Sequence, residues 1–199
     1  DQFLYRDTWV SLKSSLEILS GKLDNGRAYF GKGGYLFSID DVVSQERYES
    51  NMNYINQFRL ANKDIEMDFL LVPSKHSAMG QYLPKDVPHL DEVALFNKIN
   101  SDLGGATLTN LFESFQGEED IYFKTDHHWN AEGALLAYQA YNPDTALDMT
   151  SLKEEVLSNS FYGTDYRKVN AKKYRPDPFT IITNDKIANL KMTKEGQDK

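Results

Sequence analysis

A chain of 199 residues and 22.8 kDa is long enough for one domain with a substantial buried core. Its 40% hydrophobic and 26% charged residues are ordinary for a soluble globular protein, while a net charge of −8 without a block of Lys and Arg argues against nucleic-acid binding. The absence of cysteine excludes disulfides, zinc–thiolate sites and a cysteine nucleophile, and the apolar runs, such as FLLV at 69–72, are too short to span a bilayer.

In chain order, Trp9, Leu12, Leu16 and Leu19 recur at helical spacing, so 7–20 reads as an amphipathic helix ended by Gly21. AYFGKGGYLFSIDD (28–41) has two aromatic-rich runs around a Gly-rich turn and predicts a β-hairpin. Its GKGG lacks phosphate-loop spacing, because Lys32 is followed by Gly33 instead of Ser or Thr. Residues 44–63 place Tyr48, Met52, Ile55 and Phe58 on one helical face. IEMDFLLVP (65–73) then reads as a buried strand, and SKHSAMGQYLP as a loop leaving its carboxyl end. A helix at 91–101 and a strand near 106–111 complete a parallel βαβ unit, whose ligands are expected beyond the carboxyl ends of the strands. A helix over 131–141 is signalled by Asn130 as N-cap, Glu132 in its first turn and Pro143 beyond its end. A short helix at 150–158 and a strand at 179–185 follow, before a polar end, KIANLKMTKEGQDK.

YFKTDHHWNAEG (122–133) holds half of the four histidines. Asp126 and His128 are two apart, so one local turn can set the carboxylate against one imidazole nitrogen and leave the other for a substrate or a serine hydroxyl. In that arrangement the carboxylate fixes the tautomer and the imidazole acts as base near neutral pH. The plain alternative is that Asp126 caps a turn and the histidines make ordinary hydrogen bonds. A metal site is the weakest reading, since adjacent His side chains tend to diverge and no further His/Asp pair completes a shell. No metal and no cofactor are therefore expected. The DHH triplet is also shared with manganese-dependent DHH phosphoesterases, whose other acidic and His motifs are missing.

With FGKGGYLF (30–37), LLVPSKHSAMGQYLP (70–84) and, more loosely, FYGTDYRKVN (161–170), this stretch resembles the DHHW proteins, relatives of the AlgJ/AlgX group of SGNH-hydrolase-like proteins. The resemblance implies a three-layer α/β SGNH-like fold, with a mainly parallel sheet flanked by helices, over 28–199 after an N-terminal helical segment 1–27. It implies a part in O-acetylation of an exported or cell-surface polysaccharide. The protein would work outside the cytoplasmic membrane beside a membrane-bound O-acyltransferase, and would reach the membrane only through a segment absent from this chain. Carried over by position, Asp126 is the triad acid and His128 the base, with Lys75, His127 and Trp129 beside the substrate.

The serine is the departure. The family's Gly-Asp/Thr-Ser sequence does not follow His128, GTDY has Asp165 where a GTSY version has serine, and no strand is expected before the serines of SNSF (158–161). The polar end favours a fragment whose serine lies elsewhere. The competing reading is a non-catalytic polysaccharide-binding or assembly module, with Tyr29, Tyr35, Tyr82, Tyr162 and Tyr166 available to stack on sugar rings.

Overall fold

The structure is a computed structural model that describes residues 5–39, 43–144 and 148–185. The polar end at 186–199 and the last two residues of the predicted hairpin segment lie outside them. Helix α1 (Arg6–Leu19) leads to β1 (Ala28–Phe30) and β2 (Leu36–Ser38), an antiparallel pair with Tyr29 opposite Phe37. Their link is a tight turn over Lys32–Gly34, where Gly33 has φ 62°, in the left-handed region glycine tolerates best. Helix α2 (Gln45–Ala61) starts at Ser44, whose side chain accepts the Arg47 N–H.

Strand β3 (Asp68–Leu71), helix α4 (Glu92–Asp102) and strand β4 (Thr107–Asn110) form the expected parallel unit, with Asp68 opposite Thr107. Short helix α3 (Lys75–Ala78) leaves the carboxyl end of β3, and α5 (Phe112–Phe115) follows β4. Helix α6 (Ala131–Tyr141) starts where predicted, with the Asn130 side chain accepting the Gly133 N–H at 3.1 Å. Strand β5 (Lys153–Phe161), helix α7 (Thr164–Val169) and strand β6 (Asp177–Thr183) close the described chain, β5 and β6 pairing antiparallel. Among the described residues the strands pair two by two, and no helix is long and apolar enough to cross a membrane.

Strand alternation explains the layering. Tyr35 and Phe37 of the hairpin face a core with Met79, Leu111, Phe115, Ile121 and Tyr122. Leu36, between them, turns to a second core with Ala28, Val169, Ala171 and Tyr174. The hairpin thus lies between two apolar layers, one closed by α6 and the other by α7. The N-terminal helix joins the second layer through Ile18 and through Asn25, whose amide nitrogen donates to Ser14 Oγ at 3.0 Å and to the Lys168 carbonyl at 2.9 Å.

Three expectations are corrected. Residues 150–158 are mostly strand, because pairing with β6 overrides the helical preference of Leu and Glu there. The stripe Trp9, Leu12, Leu16 and Leu19 is exposed, and the side of α1 that meets the fold carries the buried Ser14. Strand β3 alternates exposed and half-buried instead of being buried throughout, since among the described residues it has one neighbouring strand.

Candidate active site

The DHH stretch is held as a closed loop. Tyr122 and Trp129 form an antiparallel bridge, Phe123 N–H donates to the His128 carbonyl at 3.2 Å, and Asn130 N–H to the Ile121 carbonyl at 3.0 Å. Trp129 is half-buried against the first core, its ring 6.2 Å from that of Phe115, so it anchors the loop. Below the loop, the buried Asp177 carboxylate accepts Lys124 N–H at 2.8 Å, Thr125 N–H at 2.9 Å and the Thr125 hydroxyl at 2.5 Å.

Asp126 and His128 meet as their spacing predicts. His128 Nδ1 lies 2.5 Å from Asp126 Oδ1, and the same oxygen accepts the His128 main-chain N–H at 3.0 Å. The other carboxylate oxygen accepts Thr164 N–H at 2.7 Å and the Thr164 hydroxyl at 3.0 Å. Burial pushes the Asp126 pKa upward, but these donors from Thr164 and His128 outweigh it and hold the carboxyl well below the usual range. A buried carboxylate with four donors stays ionised, which is what orienting an imidazole requires. His128 itself is 66% exposed, and its Nε2 has no hydrogen-bond partner among the described residues.

Close approach fixes the identity of residue 163. A Cβ at Gly163 would lie 2.2 Å from the Asp126 Cβ, so α7 reaches the carboxylate only because that residue is glycine. Its N–H also donates to the Thr125 hydroxyl at 3.1 Å.

His127 contacts Thr164 Oγ1 through Nδ1 at 2.8 Å, and its ring centroid is 3.9 Å from that of His128. The expected divergence of neighbouring histidines does not occur. Asp126, His127 and His128 each offer a ligand atom, all within 4.8 Å of one another. However, the carboxylate is already saturated by its four donors and both Nδ1 atoms are engaged, so the arrangement suits proton transfer better than cation binding.

Lys75 does lie beside the loop, but inside the protein. It is 2% exposed, and its ammonium donates to the carbonyls of Leu36 at 2.5 Å, Asp126 at 2.9 Å and Lys124 at 3.0 Å. The fully buried Asp165 carboxylate is 3.4 Å away. Burial pushes the Lys75 pKa down to about 8, against the pull of Asp165 and the neighbouring carboxylates. A pocket of about 330 Å³, lined by Ser38, Lys75, His127, Thr164, Asp165 and Lys168 among others, opens beside these groups. Across Trp129, a larger apolar groove of about 670 Å³ runs between α6 and β6, lined by Ala134, Tyr138, Phe179 and Ile181.

Sequence reading missed the supports. Asp165 faces Ser38 Oγ at 2.5 Å, Lys75 and Lys168, so position 165 is an interior ion partner and does not face His128. Asp177 gave a weak signal as an acid between two prolines, Pro176 and Pro178. Of the SNSF serines, Ser158 and Ser160 sit on β5 3.1 Å from each other. No serine hydroxyl bonds His128 among the described residues.

Layered helices and strands around an oriented Asp–His pair define an SGNH hydrolase-like domain. The chain belongs to the family described as the SGNH hydrolase-like domain of the acetyltransferase AlgX, matched over residues 28–155. None of the curated proteins matches it. Among solved structures it is similar to PatB1 from Bacillus cereus, at TM-score 0.64 and 22% identity over 81% of this chain and 60% of that one. It is similar to a DHHW family protein from Eubacterium siraeum DSM 15702, at TM-score 0.64 and 21% identity over 79% and 54% of the two chains. The O-acetyltransferase domain of Pseudomonas putida AlgJ follows the same pattern, at TM-score 0.60 and 19% identity over 78% and 63%. The chain therefore spans 54–63% of the length of these neighbours, and at such identities the likeness is one of fold.

Proposed function

We propose that the protein takes part in O-acetylation of an exported or cell-surface polysaccharide, as an acetyltransferase or acetylesterase in which Asp126 orients His128 as general base. The observation that carries this reading is the 2.5 Å contact between Asp126 Oδ1 and His128 Nδ1, with the ring of His128 open to the surface. The Nδ1 proton is held by the carboxylate, which leaves the Nε2 lone pair to take a proton. A serine supplied from outside the described residues gives its hydroxyl proton to Nε2 as its oxygen attacks the acetyl carbonyl. The donor's acyl–oxygen bond breaks, and its oxygen leaves with the proton from Nε2. A sugar hydroxyl, or water, then passes its proton to Nε2 and attacks the acetyl-serine. The serine recovers the proton as the ester forms on the sugar. Throughout, Asp126 stays ionised and balances the imidazolium.

Membership of the AlgX acetyltransferase-domain family supports acetyl transfer as the chemistry. Work outside the cytoplasmic membrane, with a membrane-bound O-acyltransferase supplying acetyl groups, completes the proposal. The non-catalytic binding reading draws less support. Tyr29 and Tyr35 are buried, Tyr82 and Tyr166 half-buried, and of the five candidate stacking tyrosines only Tyr162, at 37%, counts as exposed.

The test is nitrophenol release from p-nitrophenyl acetate by the full-length protein, with His128→Ala and Asp126→Asn alongside. Release that both substitutions abolish is expected. No turnover of any acetyl ester, together with glycan binding that survives His128→Ala, would move the assignment to the binding module.

A further inference from the structure

We propose that Lys75 is the positioning residue of this site: its buried ammonium ties the main chain that carries Asp126 and His128 to the hairpin and to α7. The inference rests on the reading of His128 as base, but its first test needs no turnover. The three ammonium hydrogens match three main-chain acceptors, the carbonyls of Leu36, Lys124 and Asp126. With Asp165 Oδ2 a fourth, longer contact at 3.4 Å, no hydrogen remains for a substrate, although the 2% exposed side chain borders the pocket of about 330 Å³. The rings of Tyr35 and Phe37, 5.6 and 5.2 Å from Nζ, close the remaining sides. Charge is balanced by Asp165, which Lys168 also approaches at 3.6 Å.

The consequence for the site follows from which carbonyls are held. That of Lys124 also accepts the Leu36 N–H at 2.8 Å and would keep a partner without Lys75. That of Asp126 has no other hydrogen-bond partner among the described residues. Releasing it frees the peptide between Asp126 and His127 to rotate. Both bonds from His128 end on one atom, Asp126 Oδ1, so that rotation disturbs them together. Lys75 therefore acts through Asp126 and touches neither substrate nor reacting atoms.

The experiment uses the full-length protein with Lys75→Met, which keeps the length and removes the charge, and Lys75→Met/Asp165→Asn, which also removes the stranded carboxylate. The first readout is the far-downfield proton resonance of the His128 Nδ1–H, assigned by its loss in His128→Ala. It is expected in the native protein and lost in the Lys75 variants, while circular dichroism shows the fold retained. The second is acetyl-ester hydrolysis, where kcat is expected to fall about a hundredfold with KM unchanged, as for a displaced catalytic group. A resonance and a kcat unchanged in folded variants would overturn the proposal. So would a rise in KM alone, which would make Lys75 a substrate contact, or failure of both variants to fold, which would make it only a core residue. If the native protein cleaves no acetyl ester, the acetyl-transfer reading falls while the resonance still decides the role of Lys75.

Discussion

The Asp126 turn and helix α1 treat their side chains in opposite ways. Around the turn the protein buries Lys75, Asp126, Asp165 and Asp177, all at 5% exposure or less. Along α1 it leaves Trp9, Leu12, Leu16 and Leu19 between 49% and 82% exposed. Residue type would predict the reverse. What differs is the supply of partners: each buried charge meets main-chain or side-chain groups of opposite polarity, whereas the α1 stripe belongs to neither buried core cluster. A charge stays inside when its hydrogen bonds are complete, and a leucine confers little where much of it stays exposed.

The sharpest way to break that comparison is to remove the chemistry and leave the scaffold. His128→Ala is expected to lower acetyl-ester turnover by roughly 10³–10⁴-fold, with a denaturation midpoint within about 0.5 kcal/mol of the native protein, because the ring is mostly exposed. A large stability loss would show the ring to be structural. Next, Asp165→Ala strands the Lys75 charge in the interior and is expected to cost about 3–5 kcal/mol in urea unfolding. A cost below about 1 kcal/mol would mean that water reaches the cluster.

A pH series sharpens the same point. The folded pKa of Asp126 is depressed, so its contribution to stability is complete above the unfolded value of about 3.9 and is lost as pH falls toward the folded one. The stability gap between the native protein and Asp126→Asn should therefore be constant near neutrality and shrink below about pH 4. A gap independent of pH would show that the carboxylate's charge plays no part. The smallest effect is expected on the other side of the comparison: Leu16→Gln should shift stability by no more than about 0.5 kcal/mol. A larger loss would reveal a partner for the α1 stripe.

Legibility in the sequence follows the range of the interaction. Asp126 with His128 and Asn130 with Gly133 are local, so spacing and capping rules reveal them. The parallel β3–α4–β4 unit was legible from its alternation of element types. The supports were not: Lys75 meets Asp126 across 51 residues and Asp165 across 90, and Asp177 meets Thr125 across 52. No local pattern encodes such pairings. The helix expected over 150–158 failed for a related reason, since the strand that forms there depends on β6 as a neighbour, and SLKEEVL alone has helical composition. For α1 the periodicity was real, but which side meets the fold was set by Asn25 and Lys168.

The grip of Lys75 also orders events in time. Its partners come from positions 36, 124, 126 and 165, so the node closes only after several long loops have formed. Before those loops close, the local Asp–His contact lacks the tie from Lys75 to the Asp126 carbonyl. The proposed Asp–His pair is thereby locked late, and its geometry serves as an inspection of the finished molecule.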